Sequence, residues 1–306
     1  MSSLLSLMPR LERDEPRSAR IDRLDWAAGT CIDTYGVRVG VRSNEPHLLD
    51  LLEPHLPPGW QPGESPVVDQ LFSLWVDPSQ EEPRRHSRLY SGRSRRLRTR
   101  DLDELFVVLE SEIRQGVAVE ARERIFVHAG VVGWRGRAIL IPGRSRSGKT
   151  TLVAELVKAG AEYYSDEFAV LDRDGFVHPF PKPLSVRGEG GCDLHTQRPS
   201  AEDLGGVCGH DPLKVGLVIL AEYRHRADWQ PRRLSAGQAV LEMLAHTVPA
   251  RLRPEDSLMA LGRAVEGASV LAGERGEAQE LATRLLYQIE RSEPSSRPRM
   301  GKRGME

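Results

Sequence analysis

Gly143 is followed by four residues and then by Gly148, Lys149 and Thr150, matching the phosphate-binding pattern G-x-x-x-x-G-K-[ST] at every position. Glycines let successive backbone N–H groups turn inward on an anion, and a helix N-terminus adds partial positive charge. In such a loop the lysine ammonium reaches the β- and γ-phosphates and the Thr hydroxyl ligates Mg²⁺. The spacing predicts a site for ATP and Mg²⁺. Gly143, Arg144, Ser145, Arg146 and Ser147 would form the loop, and Gly148, Lys149, Thr150 and Thr151 would open the helix. Asp166 and Glu167 follow Lys149 by seventeen and eighteen positions. Phosphoryl transfer to a hydroxyl needs a carboxylate near the metal and another to take the proton. This pair could fill both roles, with Thr150, Asp166 and Glu167 as the metal-ligating candidates. Neighbouring side chains on a strand point to opposite faces, so the two carboxylates are expected to divide the work.

These groups need elements to hold them. The apolar run 138–141 reads as the buried strand feeding the loop. Leu152, Val153, Leu156 and Val157 recur at helical spacing, and Gly160 stands where a helix end wants a left-handed residue. Upstream, two apolar runs flank Gly133-Trp134-Arg135-Gly136 and read as a hairpin with a four-residue loop. Pairing Val132 with Arg137 then sets His128 opposite Ile141, which brings an imidazole to the phosphate end of the sheet. Downstream, "FAVLDRDGFVHPF" reads as a second hairpin turning at Arg173-Asp174-Gly175. Lys182 and Arg187 flank a proline-rich stretch and are candidates for nucleotide or substrate phosphate. Cys192, His195, Cys208 and His210 have zinc-compatible types, but the C-x-H spacing is tighter than usual for zinc, and no structural zinc is expected.

The chain has 306 residues, enough for about two domains with cores of their own. Its net charge of −1 supplies no global field toward nucleic acid or membranes, and no apolar run approaches a membrane span. Three cysteines, an odd number, argue against a disulfide framework. The N-terminal apolar stretch is too short for a secretion signal, so a cytoplasmic protein is expected. Residues 1–20 and the tail 291–306 are polar and rich in proline and arginine, and read as disordered. Residues 21–115 read as a small α+β domain and 116–290 as the nucleotide domain. From Arg84 to Arg100 there are eight arginines and no acid, which fits an exposed hairpin around Ser91-Gly92. Residues 101–121 read as a helix, and "LSAGQAVLEMLAHTV" and "GEAQELATRLLYQI" as amphipathic packing helices.

Over roughly residues 120–190 the chain resembles the HPr kinase/phosphorylase group and its shorter HPr-kinase-like serine kinase relatives. The stretches that carry the resemblance are "VHAGVV", "GRSRSGKTTLVAELVKAGAEYYSDEFAVLD" and "HPFPKPLSVRGEG". It implies an α/β fold of the phosphoenolpyruvate carboxykinase type, with a phosphate loop in a mixed, largely antiparallel sheet. It further implies transfer of the ATP γ-phosphoryl group to a serine or threonine hydroxyl of a protein or peptide. On this resemblance His128 matches the histidine that orients the catalytic acid and Asp166 matches the general base. Glu167 falls where a second aspartate is usual and would serve as a metal or structural carboxylate. Arg187 matches the later Arg-Gly motif, while Ser185 stands where those kinases carry a glutamate. The catalytic set is thus Asp166, His128 and Lys149, with Arg187 added to the nucleotide contacts. The expected partner is a protein or peptide substrate, as in a peptide-tailoring kinase, with no membrane and no nucleic acid, and with room for a homo-oligomer. Two alternatives stay open: a small-molecule kinase with a phosphate loop, and a nucleotide-binding regulatory module without transfer activity.

Overall fold

The structure is a computed structural model that describes residues 21, 24–79, 84–144, 147–187 and 196–292. The chain parts into two compact units between Ala121 and Arg122. Among the described residues no helix is long and apolar enough to cross a membrane.

In the first unit six strands form one sheet: β1 (Ala28–Thr34), β2 (Val37–Ser43), β3 (Gln61–Pro62), β4 (Gln70–Val76), β5 (Ser87–Ser91) and β6 (Ser94–Thr99). Their order is β3-β1-β2-β4-β5-β6, with β2 and β4 parallel and every other pair antiparallel. The arginine-rich stretch is the β5–β6 hairpin, turning through Gly92 at φ 55. Helix α1 (Leu102–Glu120) follows, and its Asp101 cap accepts hydrogen bonds from the Asp103 and Glu104 amides. Leu105, Leu109, Ile113 and Val117 recur every fourth residue and are buried. A division at 115/116 would cut this helix in its last turns. Its apolar face runs on through Val117 and Ala118 and keeps it with the first unit.

The second unit holds an eight-stranded mixed sheet with helices on both faces. Strand β7 (Ile125–Trp134) and β8 (Arg137–Pro142) form its first hairpin, and helix α2 (Lys149–Lys158) follows the phosphate-loop sequence. Then come β9 (Glu162–Ser165), β10 (Phe168–Leu171) and β11 (Phe176–His178), a short ribbon of β12 (Val186–Arg187) with β13 (Thr196–Gln197), and the long β14 (Leu213–Tyr223). The chain closes with β15 (Arg232–Arg233), α3 (Ala236–Leu244), α4 (Pro254–Val265), β16 (Ser269–Arg275) and α5 (Ala278–Ser292). The sheet order is β11-β10-β7-β8-β14-β16-β15, with β9 on β7 beside β10. Strand β8 has an antiparallel neighbour in β7 and a parallel one in β14, and β14 runs parallel to β16.

Both faces of the sheet are covered, so its central strands read as unbroken apolar runs and not as alternation. Ile139, Ile141 and Ile219 pack with Leu152, Val153 and Leu156 of α2 and Leu281 and Leu285 of α5. Val127, Val131, Leu140 and Val218 pack on the other face with Met243 of α3 and Leu261 and Ala264 of α4. Helix α2 ends as its sequence requires. Gly160 lies at φ 102, its amide donates to Val157 O and the Ala161 amide donates to Leu156 O, closing the last turn.

The first hairpin is tighter than its sequence suggests. Arg135 and Gly136 alone make the turn, both left-handed at φ 50 and 72, so Trp134 pairs with Arg137. Ile141 therefore pairs with Gly130 and not with His128. Gly133, read as a loop residue, lies inside β7, where a Cβ would come within 2.8 Å of the Tyr164 ring. A shift of two residues keeps His128 on its original face and moves it level with Gly143, whose amide donates to the His128 carbonyl at 3.2 Å.

Candidate functional site

Strand β8 ends at Pro142 and delivers Gly143 at the edge of the sheet where the parallel β14 and β16 also end. Helix α2 begins at Lys149, and its N-cap Gly148 takes φ 78, open to glycine without strain. A Cβ on Gly148 would also meet the Arg275 guanidinium at 2.3 Å, so the position excludes a side chain twice. Arg275, nearly fully buried at the end of β16, donates to the Gly148 carbonyl at 3.0 Å. A Cβ on Gly143 would stand 2.8 Å from the Ser147 hydroxyl, closing the cradle. The Lys149 ammonium folds back on the carbonyls of Gly143 and Arg144, at 2.8 and 2.6 Å. Burial pushes its pKa down, against Asp166 and Glu167, which raise it. The ammonium bonds to the neutral carbonyls of the loop, which an anion in the cradle could replace.

Across Thr150 lies the carboxylate corner. The Thr150 hydroxyl donates to Asp166 Oδ2 at 3.1 Å, and the Ser185 amide donates to the same oxygen at 3.1 Å. The other oxygen, Oδ1, lies 2.8 Å from the Lys182 ammonium and 3.3 Å from the Tyr163 hydroxyl. That phenol also donates to the Lys182 carbonyl at 2.8 Å, and burial first, then Asp166, raises its pKa well above the ordinary value. The phenol has one proton and the shorter contact is to the carbonyl, so the donors that hold Asp166 are the Thr150 hydroxyl, the Ser185 amide and the Lys182 ammonium. The Asp166 and Lys182 side chains are only 2% and 9% exposed. Lys182, read from sequence as a candidate for phosphate, instead grips Asp166 and lies 3.7 Å from Glu167 Oε2.

The two carboxylates thus share a cation, against the expectation that they face opposite ways. The reason is local. Asp166 and Glu167 sit in a bend between β9 and β10, where the Ser165 hydroxyl accepts from the Glu167 and Phe168 amides. Strand alternation does not apply across a turn of that kind. Opposite the bend stands Gly130, where a Cβ would come within 2.5 Å of Val153, so the missing side chain lets α2 approach β7.

His128 lies on the same side, with its ring 4.9 Å from that of Phe168. Its pKa is lowered by burial and then by Lys149 and His246, and its amide donates to the His246 carbonyl at 2.8 Å. Among the described residues the side chains within hydrogen-bonding distance of Asp166 are those of Thr150, Tyr163 and Lys182, and the orienting bond expected from His128 is not among them. Ser145 and Arg146 lie outside the described residues. Arg187 is described only through its backbone, which pairs with Thr196. Cys192 and His195 also fall outside, and among the described residues no group of three or more His, Cys, Asp or Glu is placed to hold a metal ion.

Thr150 and Asp166 present oxygen donors side by side at the mouth of the loop, the ligand type a small divalent cation takes when substrate phosphates complete its shell. The residues present fit Mg²⁺ in that sense. Sequence reasoning missed Tyr163, His246 and Arg275, and it did not foresee the Lys182–Asp166 ion pair. Tyr163 was within reach, since "AEYYSDE" puts an aromatic hydroxyl three residues before Asp166. His246 and Arg275 carry no local signal.

No family model matches the chain, and no curated protein matches it. Among solved structures it is similar to the HPr(Ser) kinase/phosphatase from Coxiella burnetii, at 15% identity over 54% of this chain and 94% of that one. The TM-score is 0.30, a distant likeness, and the site stands on its own geometry.

Proposed function

We propose that the second unit binds ATP with Mg²⁺ at Gly143–Thr150 and transfers the γ-phosphoryl group to a serine or threonine hydroxyl of a protein or peptide. The observation that carries this reading is the Thr150–Asp166 contact of 3.1 Å, which joins the phosphate loop to a buried carboxylate. The loop amides and Lys149 would hold the phosphates, and Thr150 with Asp166 or Glu167 would hold the metal. Mg²⁺ there would neutralise the charge on the transferred group. The acceptor hydroxyl would give its proton to the carboxylate corner, with Asp166 as the base and Lys182 and Tyr163 keeping it in place. His128, beside Lys149 and in contact with the loop strand, would shape the phosphate end. The sequence resemblance to HPr-kinase-like proteins supports a hydroxyl on a polypeptide as the acceptor.

One observation favours a second reading. Asp166 is buried and already accepts from the Thr150 hydroxyl, the Ser185 amide and the Lys182 ammonium, so taking a proton requires it to loosen its ion pair with Lys182. A module that binds nucleotide and switches without transfer has no such need. Single-turnover measurement with γ-labelled ATP separates the readings. Free protein should hydrolyse ATP slowly, because no acceptor is positioned. A serine-bearing peptide selected from a library should speed turnover by orders of magnitude and carry the label. Equal stimulation by a sugar or small acid, with no peptide labelled, would replace the acceptor class. Tight nucleotide binding without transfer to any acceptor would favour the module.

A further inference from the structure

The contacts described so far account for a triphosphate but not for a base. Strands β14 and β16 supply a place for one. Val218 of β14 is level with Leu140 of β8, so Tyr223 lies five positions further along, beyond the end of β8 and beside the loop. Tyr223 pairs with Arg275 in register, and the Arg275 guanidinium carbon lies 5.3 Å from the centre of the phenol ring. The same guanidinium donates to the Gly148 carbonyl and to the Gly276 carbonyl, both at 3.0 Å. The phenol hydroxyl donates to Glu277 Oε1 at 3.1 Å. An aromatic ring is therefore fixed at its tip and against its body, tied to the last glycine of the loop, and still 48% exposed.

The sheet order gives the direction. Asp166 marks the reacting end of the phosphates on the β7 side of β8, while β14 and β16 lie on the other side. Ligands of parallel strands lie across their carboxyl ends, so the far end of a nucleotide extends over β14 and β16. We propose that Tyr223 is the stacking platform for the nucleobase of a purine nucleotide, held at a set distance from the loop by Arg275. The inference rests on the nucleotide reading of Gly143–Thr150 and adds the subsite that reading lacks.

The test is calorimetry on the full chain with two Mg²⁺-bound probes, ATP and inorganic tripolyphosphate, which has no base. Tyr223→Ala should weaken ATP roughly 5- to 150-fold, the range for removing one base–aromatic stack, and leave tripolyphosphate within about twofold. Tyr223→Phe keeps the ring and should hold ATP within about threefold, which also controls for folding. If Tyr223→Ala leaves ATP binding unchanged, or weakens both probes alike, the platform is wrong. Tripolyphosphate binding to the wild type keeps the two readings apart. If it binds and Tyr223→Ala has no effect on ATP, only the platform falls. If neither probe binds the wild type, the nucleotide reading fails and takes the platform with it.

Discussion

The phosphate loop and the carboxylate corner meet at Thr150, yet they are built in different ways. The loop is made by eight consecutive residues, 143–150, and its cation, Lys149, bonds to neutral backbone carbonyls. The corner gathers Thr150, Tyr163, Asp166, Lys182 and Ser185 from separate elements, and its cation, Lys182, is locked to a buried carboxylate. On the proposed nucleotide reading, the first region would exchange its partners for a ligand. The other has its bonds made before any ligand arrives, so its residues should matter to folding as much as to chemistry. Paired substitutions across the two regions can break that distinction.

The largest effect is expected at Asp166. Asp166→Asn is nearly isosteric and keeps a polar group, but it cannot accept a proton. Nucleotide affinity should stay within a few fold while single-turnover transfer drops about 10²–10⁴-fold, the range for a positioned general base. Transfer at near wild-type rate would move the role to Glu167. His128→Ala should cost less than Asp166→Asn, because His128 touches the loop strand and is not among the side chains that donate to Asp166.

Next come the two lysines. Lys182→Met strips a buried carboxylate of its cation and should lower unfolding stability by about 3 kcal/mol. Adding Asp166→Asn should recover part of that loss, since a neutral amide does not need the ammonium. Lys149→Met should cost about 1 kcal/mol or less in stability, the worth of ordinary hydrogen bonds to carbonyls, and should act on nucleotide binding instead. Denaturant melts beside ATP calorimetry read both quantities. If the two lysines lose stability equally, the contrast between a ready loop and a pre-bonded corner does not hold.

The same contrast explains what could be read from the sequence. A contiguous loop leaves its whole pattern in the chain, and strand, glycines, helix and the Gly160 stop stand where the pattern puts them. The corner was legible only in its carboxylates. Lys182 lies sixteen positions after Asp166, and nothing local tells a lysine that grips a carboxylate from one that faces solvent. Glycine misled the hairpin: Gly133 looks like a turn residue, but its job is to leave room for the Tyr164 ring. Strands β14 and β16 and helix α4 went unread: the centre of β14 is buried on both faces and shows no alternation, β16 is short and carries small residues at Ala272 and Gly273, and α4 buries Ser257, Ala260 and Ala264 beside Leu261 and Val265.

The smallest effect concerns pH and should belong to the loop side alone. The pKa values of His128 and His246 are lowered by burial first and then by neighbouring cations, Lys149 in both cases and Arg144 for His246, while Glu242 opposes the shift at His246. Between the folded and unfolded titration ranges the unfolded chain binds more protons at these imidazoles than the folded protein does, so stability rises with pH there. Their contribution is fully present above the ordinary value of 6.5 and is lost as pH falls below it. The limit is about 1.4 kcal/mol per pH unit for each imidazole. Denaturant melts from pH 8 to pH 5 should show a fall that begins near pH 6.5 in the wild type and flattens in a His128→Gln, His246→Gln double variant. The carboxylates of Asp77 and Asp172 are depressed below the ordinary aspartate value of 3.8, so they do not contribute in this window. An unchanged fall in the double variant would mean that the acid sensitivity arises elsewhere, and that the imidazoles beside the loop are not held neutral by Lys149 and their burial.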